Sequence, residues 1–179
     1  GMLCALIYFA QRATVTPYIV EVGEEGEVRL VGQVREQEWS LSASIKHAQL
    51  WRFIRHLRAM STDKQVQEER IADVRLRATE AANMQLDQYF AAAKPYEHFG
   101  RQTRTVHLEA ITSLPGTEHA YRVEWREDVV ERSGLERPPT YYVGEFHLSI
   151  IPPETARRVQ TNPLGVYVSF FDIDQKRAP

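Results

Sequence analysis

The stretch LWRFIRHLR, residues 50–58, decides the class of fold because its apolar side chains recur with the period of an α-helix. Four large apolar residues occupy positions i, i+3, i+4 and i+7 of this stretch: Leu50, Phe53, Ile54 and Leu57. That spacing brings all four side chains to one face of a helix, and the serines just before the stretch can cap its first turn. We therefore predict a helix that packs this face against a core.

The helical pattern continues from Asp63, which can cap a second helix, to Pro95, which stops it. No Gly or Pro occurs between Val66 and Pro95. The apolar residues in between keep to one stripe: Ile71, Val74, Ala78, Ala81, Ala82, Leu86, Tyr89 and Phe90. This region predicts either one long helix or two helices that bend apart near Thr79.

The second half of the chain alternates between apolar and polar residues, as β-strands with one buried face do. The inward positions of three such segments are apolar: Val106 and Leu108; Tyr121, Val123 and Trp125; Tyr142, Phe146, Leu148 and Ile150. Gly165–Ile173 (GVYVSFFDI) is apolar on both sides until Asp172, which predicts a central strand or a strand covered on both faces. Helices followed by strands predict an α+β fold, with the helices on one face of an antiparallel sheet.

Length and composition narrow the classes of protein that fit. The chain has 179 residues, enough for one domain with a substantial core, and a formal net charge of −2. A near-neutral balance does not favour a general nucleic-acid binder, which usually carries a strongly basic face. The single cysteine, Cys4, excludes an internal disulfide and a zinc site built from several cysteines.

The N-terminal segment allows two interpretations. Gly1 looks like a cloning remnant, and Met2–Ala10 (MLCALIYFA) is an apolar run shorter than the roughly 20 residues that span a bilayer. The run can be a buried segment, or the end of a transmembrane helix that begins upstream. The acidic flank after it is poor in Lys and Arg, which is weakly compatible with the non-cytoplasmic side of a membrane. Residues 14–22 and 27–34, on either side of a Gly-containing turn, predict a β-hairpin or an extended arm.

Five stretches of the chain carry a resemblance to a known family. They are VTPYIVEV (Val15–Val22), WRFIRHLR (Trp51–Arg58), LDQYF (Leu86–Phe90), YRVEWRE (Tyr121–Glu127) and NPLGVYV (Asn162–Val168). In this order they resemble segments of the TrbF family of conjugal transfer proteins, relatives of the eighth VirB component of type IV secretion systems. The last stretch is the most distinctive, because it matches the family's Asn-Pro-x-Gly motif at the start of the final strand.

The resemblance implies a fold, a location and a role. The implied fold is NTF2-like (cystatin-like) α+β, with a sheet of about four strands packed against N-terminal helices, in a single-pass protein of the bacterial inner membrane. Residues 1–13 then hold the cloning remnant and the end of the transmembrane helix, residues 14–38 an extended juxtamembrane arm, and residues 39–179 a periplasmic domain. The implied role is assembly of the secretion channel, through weak self-association and contacts with other channel proteins. We expect no enzymatic activity, no cofactor, no metal and no direct binding of nucleic acid.

The motif Asn162, Pro163, Leu164 and Gly165 allows a structural and a functional interpretation. Pro163 fixes φ, and Gly165 can adopt φ > 0 or admit another backbone segment closely. The motif can therefore form a rigid turn that sets the register of the last strand, or a turn that binds a partner. The two interpretations are compatible, and the resemblance strengthens the second.

Trp51, Arg55 and Arg58 lie at i, i+4 and i+7, beside the apolar stripe of the first helix. The simpler interpretation is a solvated face with one partly buried tryptophan. The alternative is a self-association surface, because Trp and Arg are enriched at the hot spots of protein interfaces.

Two His–Glu pairs have side chains suited to metal binding or acid–base chemistry: His107 with Glu109, and Glu145 with His147. Each pair shares a strand face opposite the apolar face, so we expect both pairs on the solvated side of the sheet.

Two other classes of protein remain open. An NTF2-like enzyme or small-molecule-binding protein would need titratable side chains that point into a cavity between sheet and helices. The inward positions assigned above are mainly apolar, which argues against catalysis. A soluble binding module without a membrane anchor would instead pack Met2–Ala10 as a strand.

Overall fold

Two short antiparallel strands precede the helices. The structure, a computed structural model, describes residues 18–22, 28–33 and 41–177. Strand β1 (Tyr18–Val22) pairs with β2 (Val28–Gln33). This pairing supports the hairpin, one of the two alternatives predicted for the segment, whereas the apolar run Met2–Ala10 lies outside the described residues. Within the described ranges, no helix is both long enough and apolar enough to cross a membrane.

Three helices follow the hairpin, and each begins at a predicted type of capping residue. They are α1 (Ala43–Arg58), α2 (Lys64–Leu76) and α3 (Glu80–Ala93). The side chains of Ser42, Asp63 and Thr79 each accept a hydrogen bond from the backbone N–H three residues ahead. The region after Val66 is therefore two helices, and Thr79 marks the point at which they separate.

The main sheet is a meander of four strands, each paired antiparallel with the next. The strands are β3 (Gln102–Ser113), β4 (Ala120–Glu131), β5 (Thr140–Ile150) and β6 (Val166–Lys176), in the order β3-β4-β5-β6. A short helix, α4 (Ala156–Thr161), connects β5 to β6. Helices followed by an antiparallel sheet confirm the predicted α+β class.

The core lies between one face of the sheet and the predicted face of α1. The four residues of that helical face are each at most 1% exposed: Leu50, Phe53, Ile54 and Leu57. Strands β4 and β5 supply the buried partners on the sheet: Tyr121, Val123, Trp125, Phe146 and Leu148. Helical periodicity and strand alternation therefore each identified the residues that meet in the core.

Strand β6 lies at an edge of the sheet, so the prediction of a central strand over Gly165–Ile173 is wrong, and the 40% exposure of Phe170 contradicts the alternative of a strand covered on both faces. The apolar pattern was misleading because the strand contains a β-bulge. At the bulge, Val168 and Phe170 pair with consecutive residues of β5. The bulge moves the inward side from Val168 to Phe171, and it leaves Phe170 40% exposed. A change of inward parity within one strand makes an edge strand look apolar on both faces.

The outer edge of β6 is closed by the helices. Thr79 N–H donates to the Val168 carbonyl at 2.9 Å, and Val168 N–H donates to the Arg77 carbonyl at 2.8 Å. Further along, the side-chain amide of Gln85 donates to the Phe171 carbonyl at 2.7 Å and accepts from the Phe171 N–H at 3.2 Å. These groups take the hydrogen bonds that a fifth strand would otherwise satisfy.

The opposite edge, β3, is closed at a single position within the described residues. There Met60 and Arg104 exchange both of their backbone hydrogen bonds, at 3.1 and 3.0 Å. Val106 is buried, but Leu108 is 41% exposed although it lies opposite Trp125 on the same face of the sheet. The predicted shared face is correct, and the exposure of Leu108 shows where the cover provided by the helices ends.

Candidate functional site

The last residue of α1, Arg58, points into the core and binds the carboxylate of Glu127 on β4. Its Nε and Nη2 atoms donate to the two carboxylate oxygens at 2.6 and 2.9 Å, and the two side chains are 7% and 2% exposed. Trp125 Nε1 donates to the same carboxylate at 2.9 Å, and Arg104 Nε lies 3.5 Å from it. A bidentate pair of this kind fixes the end of the helix over the sheet.

The electrostatics of this pair favour the charged forms. Burial by itself would lower the pKa of Arg58, but the hydrogen bond to Glu127 and its charge outweigh burial and raise that pKa above its usual value. The guanidinium carbon also lies 4.4 Å from the centre of the Tyr142 ring, and Nη1 donates to the Tyr89 hydroxyl. Loss of either charged partner would leave the other buried and uncompensated.

The burial of Arg58 corrects the prediction for α1. Arg55 is exposed and Trp51 is half-buried against the core, whereas Arg58 is 5% exposed and cannot belong to a solvent-facing surface. Each helical residue turns the chain by about 100°, so Arg58 lies roughly 20° closer to the apolar stripe than Trp51 does. The carboxylate of Glu127 then draws the guanidinium inward.

A second ionic cluster surrounds Asp73 and joins α1 to α2. Arg52 donates to the two Asp73 oxygens at 3.1 and 2.9 Å, His56 Nδ1 lies 2.8 Å from Oδ2, and Arg77 Nε donates at 3.1 Å. Burial raises the pKa of Asp73, but the hydrogen bond from His56, the charge of Arg77 and the contacts of Arg52 outweigh it. The pKa of Asp73 is therefore held well below its usual range.

Arg77 connects this cluster to the Asn-Pro-Leu-Gly turn. Its Nη1 atom donates to Gln49 Oε1 at 2.9 Å and to Asn162 Oδ1 at 3.3 Å. Asn162 is 1% exposed, and its Nδ2 atom donates to the Val166 carbonyl at 2.9 Å. The buried amide of Asn162 thus joins the first residue of β6 to the helices.

Gly165 stands where no other residue fits. Its φ of 63° lies in the left-handed region, and a Cβ atom there would lie 2.0 Å from the carbonyl oxygen of Ile151. Its N–H donates to the Asn162 carbonyl at 3.0 Å, and its carbonyl accepts from the Ile151 N–H at 2.8 Å. These contacts are those of a rigid turn, on which Pro163 stays half-buried and Leu164 is buried.

The outer face of the sheet carries exposed ion pairs, as expected for the histidines. His147 Nε2 lies 2.7 Å from Glu145 Oε1, with the side chains 41% and 49% exposed. His107, however, lies 3.0 Å from Asp128 rather than beside Glu109, which falls at the bulge of β3. No group of three or more His, Cys, Asp or Glu side chains suited to a metal ion occurs in the described part of the chain.

Arg58 and Glu127 do not face the cavities found at the described surface. Four cavities there have volumes of about 160 to 370 Å³, and neither residue lines these four. An NTF2-like enzyme would turn such groups into a cavity between sheet and helices. The arrangement found here binds the groups to each other instead.

Comparison with known proteins places these features in a family. The chain matches the VirB8 protein family over residues 1–176. It belongs to the VirB8 family. It is 27% identical over 180 residues to the conjugal transfer protein TrbF of Rhizobium radiobacter, an alignment that covers 96% of this chain and 80% of that protein. The resemblance drawn from the sequence motifs is therefore confirmed.

Solved structures of a TrwG domain and of a VirB8 protein share the fold. The soluble domain of TrwG from Bartonella grahamii superposes with a TM-score of 0.67 at 14% identity, covering 79% of this chain and all 100% of that domain. The VirB8 protein of Agrobacterium tumefaciens superposes with a TM-score of 0.64 at 14% identity, covering 83% of this chain and 99% of that one. The predicted NTF2-like fold is thereby confirmed.

The ionic core of this VirB8-family chain was missed by the sequence analysis, although a signal for it existed. Glu127 continues the inward alternation of Val123 and Trp125, so the same pattern that located the core also places a carboxylate inside it. Arg104 likewise continues the inward alternation of Val106 and Leu108, so two inward positions carry charges that need partners. Asp73 and Arg77 gave no comparable signal, because neither interrupts an apolar pattern.

Proposed function

We propose that this chain is the periplasmic domain of a single-pass inner-membrane protein of a type IV secretion (conjugal transfer) system, where it assembles the channel and catalyses no reaction. Membership of the VirB8 family supports the secretion role, and the similarity to TrbF supports the conjugal variety. The observation that carries the proposal is the ionic core. Because Arg58 and Glu127 bind each other and line none of these four cavities, this buried charge pair serves the fold.

The proposed topology assigns residues 1–13 to the end of the membrane helix, 14–38 to a juxtamembrane arm and 39–179 to the periplasmic domain. Fractionation of the full-length gene product tests it. Retention in the inner-membrane fraction, released by detergent but not by salt, is the expected result. Recovery in the soluble fraction would favour the soluble binding module instead.

Self-association is proposed for the exposed side of α1 around Trp51 and Arg55. A half-buried tryptophan beside an exposed arginine is the composition favoured at interface hot spots. Sedimentation equilibrium of the chain should show a weak monomer–dimer equilibrium that shifts about tenfold towards monomer in Trp51→Ala. Circular dichroism distinguishes loss of folding from loss of association. An unchanged monomer–dimer equilibrium in the folded Trp51→Ala variant would show that this surface does not mediate self-association.

Partner binding is proposed for the turn at Asn162, Pro163, Leu164 and Gly165. Gly165→Val cannot test it, because the added side chain would collide with Ile151 and disturb the fold. Pro163→Ala is the sharper variant, since it removes half-exposed ring atoms and leaves the hydrogen bonds of Asn162 in place. We expect normal thermal stability with reduced copurification of the other channel proteins.

Conjugal transfer from a deletion strain tests the assembly role as a whole. Transfer should be lost without the gene, restored by the full-length protein, and impaired by Trp51→Ala and Pro163→Ala at normal protein levels. Undiminished transfer in the deletion strain would overturn the proposal.

A further inference from the structure

A cavity of about 280 Å³ beside the open edge of β3 is lined by three arginines: Arg55, Arg70 and Arg104. Hydroxyl-bearing residues also line this arginine pocket, namely Ser61, Thr103 and Thr105. No acidic side chain is among its lining residues. An opening with guanidinium and hydroxyl groups and no carboxylate attracts anions.

The cations of the arginine pocket are in excess over nearby carboxylates. Arg104 is 10% exposed, and its Nε and Nη2 atoms donate to the Arg58 carbonyl and a second backbone carbonyl at 2.5 and 2.8 Å. Its Nη1 atom has no hydrogen-bond partner among the described residues. Arg55 and Arg70 form no ion pair within those residues either, and the buried carboxylate of Glu127 is shared by Arg58 and Arg104. The pocket is therefore bordered by Arg55 and Arg70, which have no carboxylate partner among the described residues, and by the buried Arg104.

The arginine pocket adjoins a stretch of β3 whose outer side has no hydrogen-bonding neighbour among residues 18–22, 28–33 and 41–177. Arg104 pairs outward with Met60, and alternate residues of a strand turn their backbone groups to the same side. Val106 and Leu108 therefore also direct their N–H and C=O groups away from β4, and no described residue binds them. An extended segment can continue the sheet along this edge.

We propose that the arginine pocket and the β3 edge together bind an extended acidic segment of a partner protein. The backbone of the segment pairs with β3, and one glutamate or aspartate carboxylate enters the pocket. The two features act together because Thr103, Arg104 and Thr105 belong to both. A peptide fits better than a nucleic acid, since no aromatic side chain lines the pocket for base stacking. The site lies at the edge opposite β6 and its turn, and it shares Arg55 with the self-association surface proposed above, so a variant of Arg70 tests it without altering either of those regions.

The probe for this site is a fluorescein-labelled peptide in which glutamate alternates with valine, with an amidated C-terminus. Fluorescence anisotropy with the full chain should show saturable binding that weakens as salt rises and weakens about tenfold in Arg70→Glu. Arg70 is chosen because Arg55 also borders the proposed self-association surface and Arg104 supports the ionic core. Arg157→Glu, an exposed charge reversal on α4, is the matched control and should bind like the unaltered protein.

Two altered peptides separate the two parts of the site. Glutamine in place of every glutamate should abolish the salt-sensitive binding, and methylation of alternate backbone nitrogens should weaken binding by removing strand pairing. Equal binding of the glutamine peptide, equal binding of the methylated peptide, or equal binding by the Arg70→Glu protein would each overturn the proposal. So would a failure of the acidic peptide to bind at all.

Discussion

At the β6 edge of the sheet, contacts from residues 77–79 and from Gln85 take the place of a neighbouring strand, whereas among the described residues the β3 edge has only the exchange between Met60 and Arg104. Exposed strand edges invite pairing with other chains, and proteins usually protect them. Within the part of the chain that the structure describes, the β6 edge is protected and most of the β3 edge has no hydrogen-bonding neighbour. The protected edge is the one that begins at the Asn-Pro-Leu-Gly turn.

Each edge depends on its own buried charges. The β6 edge is held through Asp73, Arg77 and Asn162, and the β3 edge through Arg58 and Glu127. The difference between the edges thus lies in how the polar contacts are used. Near β6, the amides of Asn162 and Gln85 bind strand backbone directly, whereas near β3 Arg58 and Glu127 fix the end of α1 and bind no backbone of the strand edge.

We expect the largest effect from Gly165→Val, which disrupts the turn at the start of β6, the protected edge strand. We expect a loss of about 4 kcal/mol or more in the free energy of unfolding, because the side chain would meet the Ile151 carbonyl and the backbone would be strained. Urea denaturation followed by circular dichroism measures it. Gly134→Ala is the control, since Gly134 also has positive φ but open space around it, and should cost about 1 kcal/mol. Similar losses in the two variants would show that the close approach to Ile151 is unimportant.

The next effect comes from breaking the charge pair on the β3 side with Glu127→Gln. Removal of one partner leaves the Arg58 guanidinium buried without a counter-charge, and we expect a loss of about 3 kcal/mol. Glu124→Gln on the same strand is the control, because Glu124 pairs with Lys176 near the surface and should change stability by less than about 1 kcal/mol. Thermal unfolding of both variants makes the comparison. If Glu127→Gln and Glu124→Gln were equally stable, the ionic core would make no specific contribution to the free energy of unfolding.

The pH dependence of stability tests the contribution of Asp73 on the β6 side. Its pKa is lower in the folded state than the value near 4 of an unfolded aspartate, so its stabilisation is complete above that value and declines as pH falls below it. Asp73→Asn should cost about 2 kcal/mol at neutral pH, and the difference from the unaltered protein should narrow below about pH 4. Unfolding free energies over a pH series measure this, with exposed Asp87→Asn as the control. A difference that stays constant with pH would exclude the ionic role of Asp73.

The smallest expected effect comes from opening the β6 edge at one point with Gln85→Ala. We expect a loss of about 1 kcal/mol, together with faster hydrogen exchange at the Phe171 N–H. The exposed neighbour Gln88 supplies the control variant, Gln88→Ala. Unchanged protection of Phe171 would show that the side-chain amide is not what closes this edge.

The sequence was sufficient where one periodic pattern governs a whole element. The i, i+3, i+4, i+7 spacing around Phe53 identified the buried face of α1, and alternation around Trp125 identified that of β4. It was insufficient at β6, because a bulge depends on the pairing partner and reverses the parity between Val168 and Phe171. The burial of Arg58 depends on a carboxylate that lies 69 residues away, a distance at which local spacing carries no information.

Each residue at the junction of α2 and α3 makes a structural contact. Arg77 ends one helix and supplies a carbonyl to the strand, Ala78 forms the bridge opposite Val168, and Thr79 both donates to the strand and caps the next helix. Chain length here is as constrained as residue identity. A single inserted or deleted residue would rotate one helix by about a quarter turn relative to the other. The residue that caps α3 would then no longer be the one that contacts the strand.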